Sequence, residues 1–336
     1  MVSSQVEIPP APDHDVPSGP LHPGHMISAY RIERLVGVGG MGWVYRARHE
    51  FTARSVALKI LREDQLALDR SIDRMMREAT ILASVAHPGI PRFHECGMLD
   101  DGRPWIAMEL VEGVALAHRM RGMLDADVVM DLVVQVSEVL AAVHAREFTH
   151  RDLKPENIIL APGDSRFPMR VIDWGIALAG AGARFTNMNE AIGTPTYMAP
   201  EQARGGKAGP HCDVYGLGVI AYQALTGRAP FVGANSVEIL VQHLNRPAPA
   251  LAPRCPDAPY GLVELVERML AKNPDERPSA AEISSSLGKL RVARQTPPYL
   301  RIAAEAGNGV PLPVFETTTT SPSASAVHAM WSDSDE

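Results

Sequence analysis

The sequence predicts an α+β protein in which a small antiparallel sheet with one main helix precedes a larger, mostly helical part. Up to residue 112, short segments rich in β-branched and aromatic residues alternate with glycine-bearing or polar turns, a pattern typical of strands. From residue 113 to 292, apolar residues recur mostly at helical spacing. Because neither pattern reaches the ends of the chain, we predict a disordered Pro-rich leader (1–29), an ordered domain (30–292) and a disordered, acidic Ser/Thr/Pro-rich tail (293–336).

The composition is that of an ordinary globular protein. Of the 336 residues, 46% are hydrophobic and 21% are charged, so the chain can bury a sizeable core. The net charge of −7 resides in the two ends, and the near-neutral middle excludes the basic surface of a nucleic-acid-binding protein. Three scattered cysteines favour buried thiols in a reducing compartment rather than a disulfide framework or a zinc site. With neither a signal peptide nor an apolar run of the ~18–20 residues that a membrane span needs, we expect a cytoplasmic protein.

Five strands and one helix are predicted in the first part of the domain. The helix covers residues 64–85 and ends before His87-Pro88-Gly89, because proline and glycine terminate helices. The predicted strands lie at residues 30–36, 43–48, 55–61, 92–99 and 105–111.

The second part is predicted to be built from helices. The clearest is amphipathic and begins at Asp125, and the last one starts behind Pro278. The predicted helices lie at residues 125–146, 213–226, 236–244, 260–270 and 279–291.

A glycine-rich run from Gly37 to Gly42 follows the first predicted strand with the pattern G-x-G-x-x-G. A dinucleotide-binding fingerprint would require a helix directly after the glycines, but the residues from Trp43 onward are strand-like. The glycines therefore cap a β-hairpin. Their backbone N–H groups can approach phosphate oxygens, although a plain glycine-rich turn would have the same sequence.

Lys59 lies on the next predicted strand, 17 residues beyond Gly42. A lysine beneath a glycine flap can reach phosphate oxygens, and Glu78 in the predicted helix could hold it in place. Taken alone, Lys59 is also consistent with an ordinary solvated strand lysine.

Functional side chains are concentrated in several later segments. Residues 150–157 read His-Arg-Asp-Leu-Lys-Pro-Glu-Asn, and an apolar strand-like run at 171–175 contains Asp173. Residues 193–201 read Gly-Thr-Pro-Thr-Tyr-Met-Ala-Pro-Glu. Asp213 and Arg277 follow. A surface turn explains any one of these segments, but it does not explain the whole ordered series.

In this order, the motifs resemble those of the eukaryotic-like (Hanks-type) serine/threonine protein kinases of bacteria. The resemblance runs from about Tyr30 to Arg291. It implies the bilobal protein-kinase fold, with an N-lobe at 30–112 and a C-lobe at 113–292. It also implies transfer of the ATP γ-phosphate to Ser/Thr hydroxyls of protein substrates, together with autophosphorylation.

The resemblance assigns the catalytic roles residue by residue. Asp152 would be the catalytic base, and Lys154 would steady the γ-phosphate. Lys59 would hold the α/β-phosphates and pair with Glu78. The expected Mg²⁺ ligands are Asn157 and Asp173.

The expected ATP contacts surround the glycine-rich hairpin and the strand that leads out of the N-lobe. Val44, Ala57 and Ile159 would sandwich the adenine ring, and the hinge from Glu109 to Val111 would bind it through the backbone. Besides Lys59, the full set is Val36, Gly37, Val38, Gly39, Gly40, Met41, Gly42, Trp43, Val44, Ala57, Met108, Glu109, Val111 and Ile159.

Regulatory and structural roles follow from the same resemblance. Arg151 would bind a phosphate on Thr186 of the activation segment, and Thr194 would belong to the substrate platform. The structural residues would be Glu201 and Arg277, which resemble the family's buried ion pair, and Asp213, which resembles its helix aspartate.

Lysine usage supports an active enzyme. Only five of the 32 basic residues are lysines, yet two of the five are Lys59 and Lys154. A compact ammonium group contacts phosphate as a point charge, a role for which the planar fork of arginine does not substitute.

One position departs from the family pattern. Trp174 stands where the family usually has phenylalanine, beside His150, Leu82 and Phe93 in the family's regulatory stack. Its indole can keep the packing if the N–H finds a partner.

Two alternative functions remain open. They are a pseudokinase scaffold, disfavoured by the filled catalytic positions, and a small-molecule phosphotransferase, disfavoured by the platform at 193–201. We expect ATP and Mg²⁺, protein substrates and self-association for trans-autophosphorylation, but no nucleic-acid partner.

Overall fold

A computed structural model describes residues 20–39, 41–66, 71–161, 163, 167–174, 195–206 and 208–293. The strands of the first part are β1 (Met26–Ile27), β2 (Tyr30–Val38), β3 (Gly42–His49), β4 (Ser55–Leu61), β5 (Phe93–Met98) and β6 (Pro104–Glu109). They form one antiparallel sheet in the order β1-β2-β3-β4-β6-β5. The five predicted strands are present, and the sequence analysis missed only the short β1 among the strands of this sheet.

Alternation along β3 and β4 separates the two faces of the sheet. Trp43 and Leu58 are buried in a cluster on the outer face. Ala57 instead belongs to the large cluster that continues into the helices. Val44 is paired with Lys59 across the two strands, and cross-strand partners share a face. Val44, Ala57 and Lys59 therefore point to the inner side of the sheet.

The predicted helix over 64–85 is present as two helices, α1 (Glu63–Leu66) and α2 (Ser71–Ser84), separated by residues outside the described part. The apolar residues of α2 recur at helical spacing and bury one face of the helix against the sheet. Glu78 lies on that buried face, next to Ala79. A carboxylate is thereby brought beneath the sheet.

The fold includes described residues that precede the predicted boundary at residue 30. Leu21 and Ile27 are buried on the outer face of the sheet. The backbone N–H of Leu21 donates to the Tyr45 hydroxyl at 2.8 Å, and β1 pairs with β2. An apolar sheet face must be covered, and these two isolated side chains help to cover it without producing any sequence periodicity. The predicted disordered leader of residues 1–29 therefore extended too far.

The helices of the second part are α3 (Leu116–Arg119), α4 (Ala126–His144), α5 (Pro200–Ala203), α6 (Pro210–Thr226), α7 (Ser236–Asn245), α8 (Tyr260–Met269) and α9 (Ala280–Ala293). Helix α6 is almost wholly buried. Helices α4 and α8 pack on α6, and α9 packs on α4. The five predicted helices are present. Helix α6 starts three residues earlier than predicted, with proline at its first position. Among the described residues, no helix is long and apolar enough to cross a membrane.

A small antiparallel sheet joins the two parts. Its strands are β7 (Val114–Ala115), β8 (Ile158–Leu160) and β9 (Met169–Val171), in that order across the sheet. The predicted strand-like run at 171–175 overlaps β9 only at Val171, because β9 ends two residues before the Asp173 carboxylate. Asp173 therefore lies in the segment just beyond the strand.

Candidate active site

A cavity of about 270 Å³ opens between the inner face of the large sheet and the segments flanking β8 and β9. Pro91, Glu156 and Ile172 line it although the sequence analysis did not single them out. The predicted site residues that line the cavity are Gly37, Val38, Gly39, Met41, Gly42, Val44, Ala57, Lys59, Glu78, Met108, Glu109, Val111, Asp152, Lys154, Asn157 and Asp173.

Three predicted ATP contacts do not line the cavity. Trp43 is on the opposite face of the sheet, because it is adjacent to the inward-facing Val44 in a strand whose side chains alternate. Val36 is buried within β2. Ile159 packs with Val111, which itself reaches the cavity. The predicted site residues Gly40, Thr186 and Thr194 lie outside the described residues.

The glycine-rich hairpin connects β2 and β3 above the cavity. It is closed by a hydrogen bond from the Gly39 N–H to the Gly42 carbonyl oxygen at 2.8 Å. At Gly42 a Cβ atom would stand only 2.5 Å from the backbone oxygen of Ile60, so no larger residue fits without moving β4. Glycine is thus required here because the two backbones approach each other closely.

Lys59, Glu78 and Asp173 form an ionic cluster at the inner wall, which we call the cavity cluster. The Lys59 ammonium lies 2.7 Å from Glu78 Oε2 and 2.6 Å from Asp173 Oδ1. Glu78 is almost fully buried, whereas the Asp173 side chain is 44% exposed. One lysine thus links helix α2 to the segment after β9.

The pKa values in this cluster follow its charges. Burial by itself lowers the pKa of Lys59, but the nearby charges of Asp173 and Glu78 outweigh it and raise the pKa above its ordinary value. The Lys59 ammonium holds the pKa of Asp173 below its usual range. Burial raises the pKa of Glu78 against the attraction of Lys59. At neutral pH, Lys59 therefore remains charged and Asp173 ionised.

A second pair of functional groups faces the cavity from the segment before β8. The Lys154 ammonium donates to Asp152 Oδ2 at 2.8 Å, and the Asp152 side chain is 54% exposed. The Asn157 amide donates to the Asp152 backbone oxygen at 2.8 Å. Because its NH₂ group is engaged there, Asn157 presents its amide oxygen as an acceptor.

Asp213, at the start of α6, holds this segment in place. Its carboxylate accepts from the backbone N–H groups of His150 at 2.8 Å and Arg151 at 2.7 Å, and it lies 2.8 Å from His144 Nε2. Burial alone would raise the pKa of Asp213, but the hydrogen bonds from His144 and from the backbone N–H of His150 hold the pKa below its usual range. His144 was not among the predicted site residues, because a histidine at a helix end gives no signal of a contact with residue 213.

His150 connects the segment before β8 to the segment after β9. Its Nδ1 accepts from the Asp152 N–H at 3.3 Å. Its Nε2 therefore carries the proton and donates to the Ile172 carbonyl oxygen at 3.1 Å. The two segments that bear Asp152 and Asp173 are thus joined by one imidazole.

Glu201 and Arg277 form a bidentate ion pair away from the cavity. The Arg277 guanidinium donates to both Glu201 oxygens, at 2.7 and 2.9 Å, and also to the backbone oxygens of Ala271, His211 and Lys272. The Arg277 side chain is fully buried. The pair thus joins α5, the start of α6 and the segment after α8.

The chain matches the family model described as "Protein kinase domain" over residues 30–287. It is 36% identical over 290 residues to the serine/threonine-protein kinase PknA of Mycobacterium tuberculosis, covering 82% of this chain and 66% of that protein. It is 39% identical over 264 residues to the serine/threonine-protein kinase pkn3 of Myxococcus xanthus (75% and 48% covered). For PrkC of Bacillus subtilis, another serine/threonine-protein kinase, the identity is 36% over 255 residues (75% and 39%).

The chain thus spans between about two fifths and two thirds of the length of these relatives. The family model covers most of this chain, including the cavity and both ionic groups that face it. The resemblance inferred from the sequence motifs is confirmed by this match. The chain belongs to the protein kinase family.

Proposed function

We propose that this protein is an ATP-dependent serine/threonine protein kinase that transfers the γ-phosphate to Ser and Thr hydroxyls of proteins. The observation that carries the proposal is the convergence of two lysine–carboxylate groups, Lys59 with Asp173 and Lys154 with Asp152, on one cavity. Phosphoryl transfer needs cations and positioning more than covalent chemistry. The three relatives named above are all serine/threonine-protein kinases by name.

The two ends of the cavity suit the two parts of ATP, the base and the phosphates. At one end, Val44, Ala57 and Met108 offer apolar surface to a planar base. The chain leaves the sheet after Glu109, which frees backbone groups to hydrogen-bond the base edge. At the other end, the hairpin from Gly37 to Gly42 brings backbone N–H groups toward the phosphates.

The donor set at the phosphate end fits Mg²⁺. Asp173 offers a carboxylate that is held ionised by Lys59, and Asn157 offers an amide oxygen. Hard Mg²⁺ prefers such oxygen ligands and is usually shared with substrate phosphates. When bound, Mg²⁺ would neutralise charge on the phosphate oxygens; Asp173 and Asn157 are the residues that would hold it.

The remaining roles fall to Asp152 and Lys154. In the transfer, the substrate hydroxyl oxygen forms a bond to the γ-phosphorus while the bond from that phosphorus to the bridging oxygen of ADP breaks. The exposed Asp152 carboxylate accepts the hydroxyl proton, and Lys154, 2.8 Å away, stabilises the charge on the transferred group. Lys59 keeps the α- and β-phosphates in place.

Two further expectations belong to this proposal. A cytoplasmic location is supported by the three cysteines, none of which forms a disulfide. Self-association would allow one molecule to phosphorylate another, and we propose it as the route of autophosphorylation. Neither alternative function has a specific observation in its favour.

The test is incubation of the full chain with γ-labelled ATP, Mg²⁺ and casein, followed by phosphoamino-acid analysis. We expect labelled phosphoserine and phosphothreonine and no phosphotyrosine. Lys59→Met should abolish labelling, whereas Lys289→Met, at an exposed lysine of α9, should not. Equal labelling by the wild type and Lys59→Met, or no labelling by any form, would refute the proposal.

A further inference from the structure

Trp174 follows Asp173 directly and is fully buried. Its ring lies 4.7 Å from the His150 ring, centroid to centroid, and it belongs to the large cluster that contains Leu82. Packing of this kind needs only an aromatic ring, so it does not explain why the chain has tryptophan here.

The feature peculiar to tryptophan is the indole N–H, which donates to the Val171 carbonyl oxygen at 3.0 Å. A buried indole N–H needs such a partner, and phenylalanine would offer no donor to the same carbonyl. Val171 is a firm anchor, because it is paired with Ile158 in the small sheet and donates to the Gly89 oxygen at 2.8 Å. The bond links the Trp174 side chain back to the Val171 backbone, so that Ile172 and Asp173 lie inside a hydrogen-bonded ring.

The backbone inside that ring is strained. Asp173 has a φ of +60°, in the left-handed region that residues with a side chain enter at a cost. Such a conformation persists only where its surroundings hold it. Ile172 is held by its N–H, which donates to the Asn157 oxygen at 2.9 Å, and by its carbonyl, which accepts from His150. The indole bond of Trp174 holds the other side of Asp173.

We infer that Trp174 is a positioning residue whose indole-to-Val171 hydrogen bond keeps the Asp173 carboxylate turned toward Lys59 and the cavity. The bond itself is independent of ATP chemistry; its consequence for phosphoryl transfer rests on the proposed function. Trp174→Phe restores the residue usual in the family, so the variant should fold. The matched control is Trp105→Phe, which changes a buried tryptophan on the outer face of the sheet.

The first measurement is hydrogen–deuterium exchange of the backbone at residues 168–174, without nucleotide. A buried hydrogen bond of this kind changes an opening equilibrium by about threefold to tenfold. We expect exchange in this segment to accelerate by that factor in Trp174→Phe and to be unchanged in Trp105→Phe. Exchange in α6 should be unaffected in both variants.

The second measurement is Mg²⁺ titration of the binding of a fluorescent ADP analogue. Since Asp173 is the proposed metal ligand, the Mg²⁺ concentration at half-saturation should rise at least twofold in Trp174→Phe and not in Trp105→Phe. Binding of the analogue without Mg²⁺ should stay the same in all three proteins.

Four results separate the possibilities. Equal exchange in Trp174→Phe and wild type would overturn the inference, and so would faster exchange that extends through α6, which would indicate a merely structural role. Faster local exchange with an unchanged Mg²⁺ midpoint would overturn the positioning of Asp173. Failure of the wild type to bind the ADP analogue would count against the proposed function, and the exchange data would still decide the role of the bond.

Discussion

The cavity cluster and the Glu201–Arg277 pair are both lysine- or arginine-centred ionic groups, yet they are built differently. Within the described part of the chain, Lys59 is held by two side chains, Glu78 and Asp173, which come from separate elements. Arg277 is held by both oxygens of Glu201 and also by three backbone carbonyls. The Asp173 side chain is 44% exposed, while that of Arg277 is completely buried.

The difference separates a group that can exchange partners from one that cannot. Side chains that hold one another at the wall of a cavity can turn to phosphate or metal when these arrive, without disturbing the backbone. A guanidinium whose donors are taken up by fixed carbonyls joins segments of the fold and has nothing left for a ligand. We therefore assign chemistry to the first group and stability to the second.

Replacement of Arg277 is expected to have the largest effect on stability. Arg277→Ala leaves the Glu201 carboxylate and three carbonyl oxygens without their donor, and loss of one partner of a buried pair commonly costs about 3–5 kcal/mol. The melting temperature should fall by roughly 6–20 °C for a domain of this size. Thermal unfolding followed by circular dichroism measures it, with Arg268→Ala, at an exposed arginine of α8, as the control. An unchanged melting curve would mean that the pair does not stabilise the fold.

Replacement of Asp152 should lower the rate of phosphate transfer without lowering the melting temperature, the reverse of the effect expected for Arg277. Asp152→Asn removes the proposed base but keeps the size of a half-exposed side chain, so the fold should be retained. The rate of transfer should drop by at least ~10²–10³, equivalent to ~3–4 kcal/mol. Steady-state kinetics with a Ser-containing peptide measures the effect. Activity within tenfold of the wild type would remove Asp152 from the proposed role.

Asp213 shares a property with each of the two ionic groups. It is buried like Arg277, but it holds the backbone of His150 and Arg151, which leads to the cavity. Asp213→Asn places an amide where a carboxylate accepted hydrogen bonds, which should cost about 1–3 kcal/mol. Since the pKa of Asp213 is lowered in the folded state, its ionised form stabilises the fold above its ordinary value near ~3.9. That stabilisation is lost as the pH falls through the lowered folded value.

The stability difference between the wild type and Asp213→Asn should therefore be constant near neutral pH and shrink only below about pH 4. Urea unfolding at a series of pH values measures this difference. A difference that shrinks between pH 8 and 6 would show that another group, not Asp213, controls it.

The smallest effect is expected for regulation of the transfer rate by phosphorylation of Thr186. If a phosphate on Thr186 binds Arg151, Thr186→Ala should lower activity, and Arg151→Ala should lower it no further in that background. A double-mutant cycle of transfer rates measures the coupling. Additive losses, or a fully active Thr186→Ala protein, would show that the switch is not used.

Much of the cavity could be predicted because its chemistry is written in short motifs. Lys59, Asp152, Lys154, Asn157 and Asp173 each belong to a local pattern whose order along the chain indicates one family, and all five line the cavity. The strands and most helices could likewise be predicted, since their apolar periods are local.

One prediction failed on a local pattern, and two further features depend on contacts between distant residues. Trp43 was placed in the cavity because it borders the glycine run, whereas alternation along β3 turns it to the outer face. The bond of His144 to Asp213 joins residues 69 positions apart. Leu21 covers the sheet from within a Pro-rich segment. No period or motif in the sequence reports the contacts of His144 and Leu21.

The most direct test of the division between chemistry and stability is single-turnover transfer of the γ-phosphate to a Ser-containing peptide at 10 °C. The variants are Asp173→Ala and Arg277→Ala, each shown to be folded at that temperature. We expect Arg277→Ala to transfer phosphate within threefold of the wild-type rate, and Asp173→Ala to be slower by at least ~10². Equal loss of rate in both variants, or a slow Arg277→Ala beside a fast Asp173→Ala, would contradict the account.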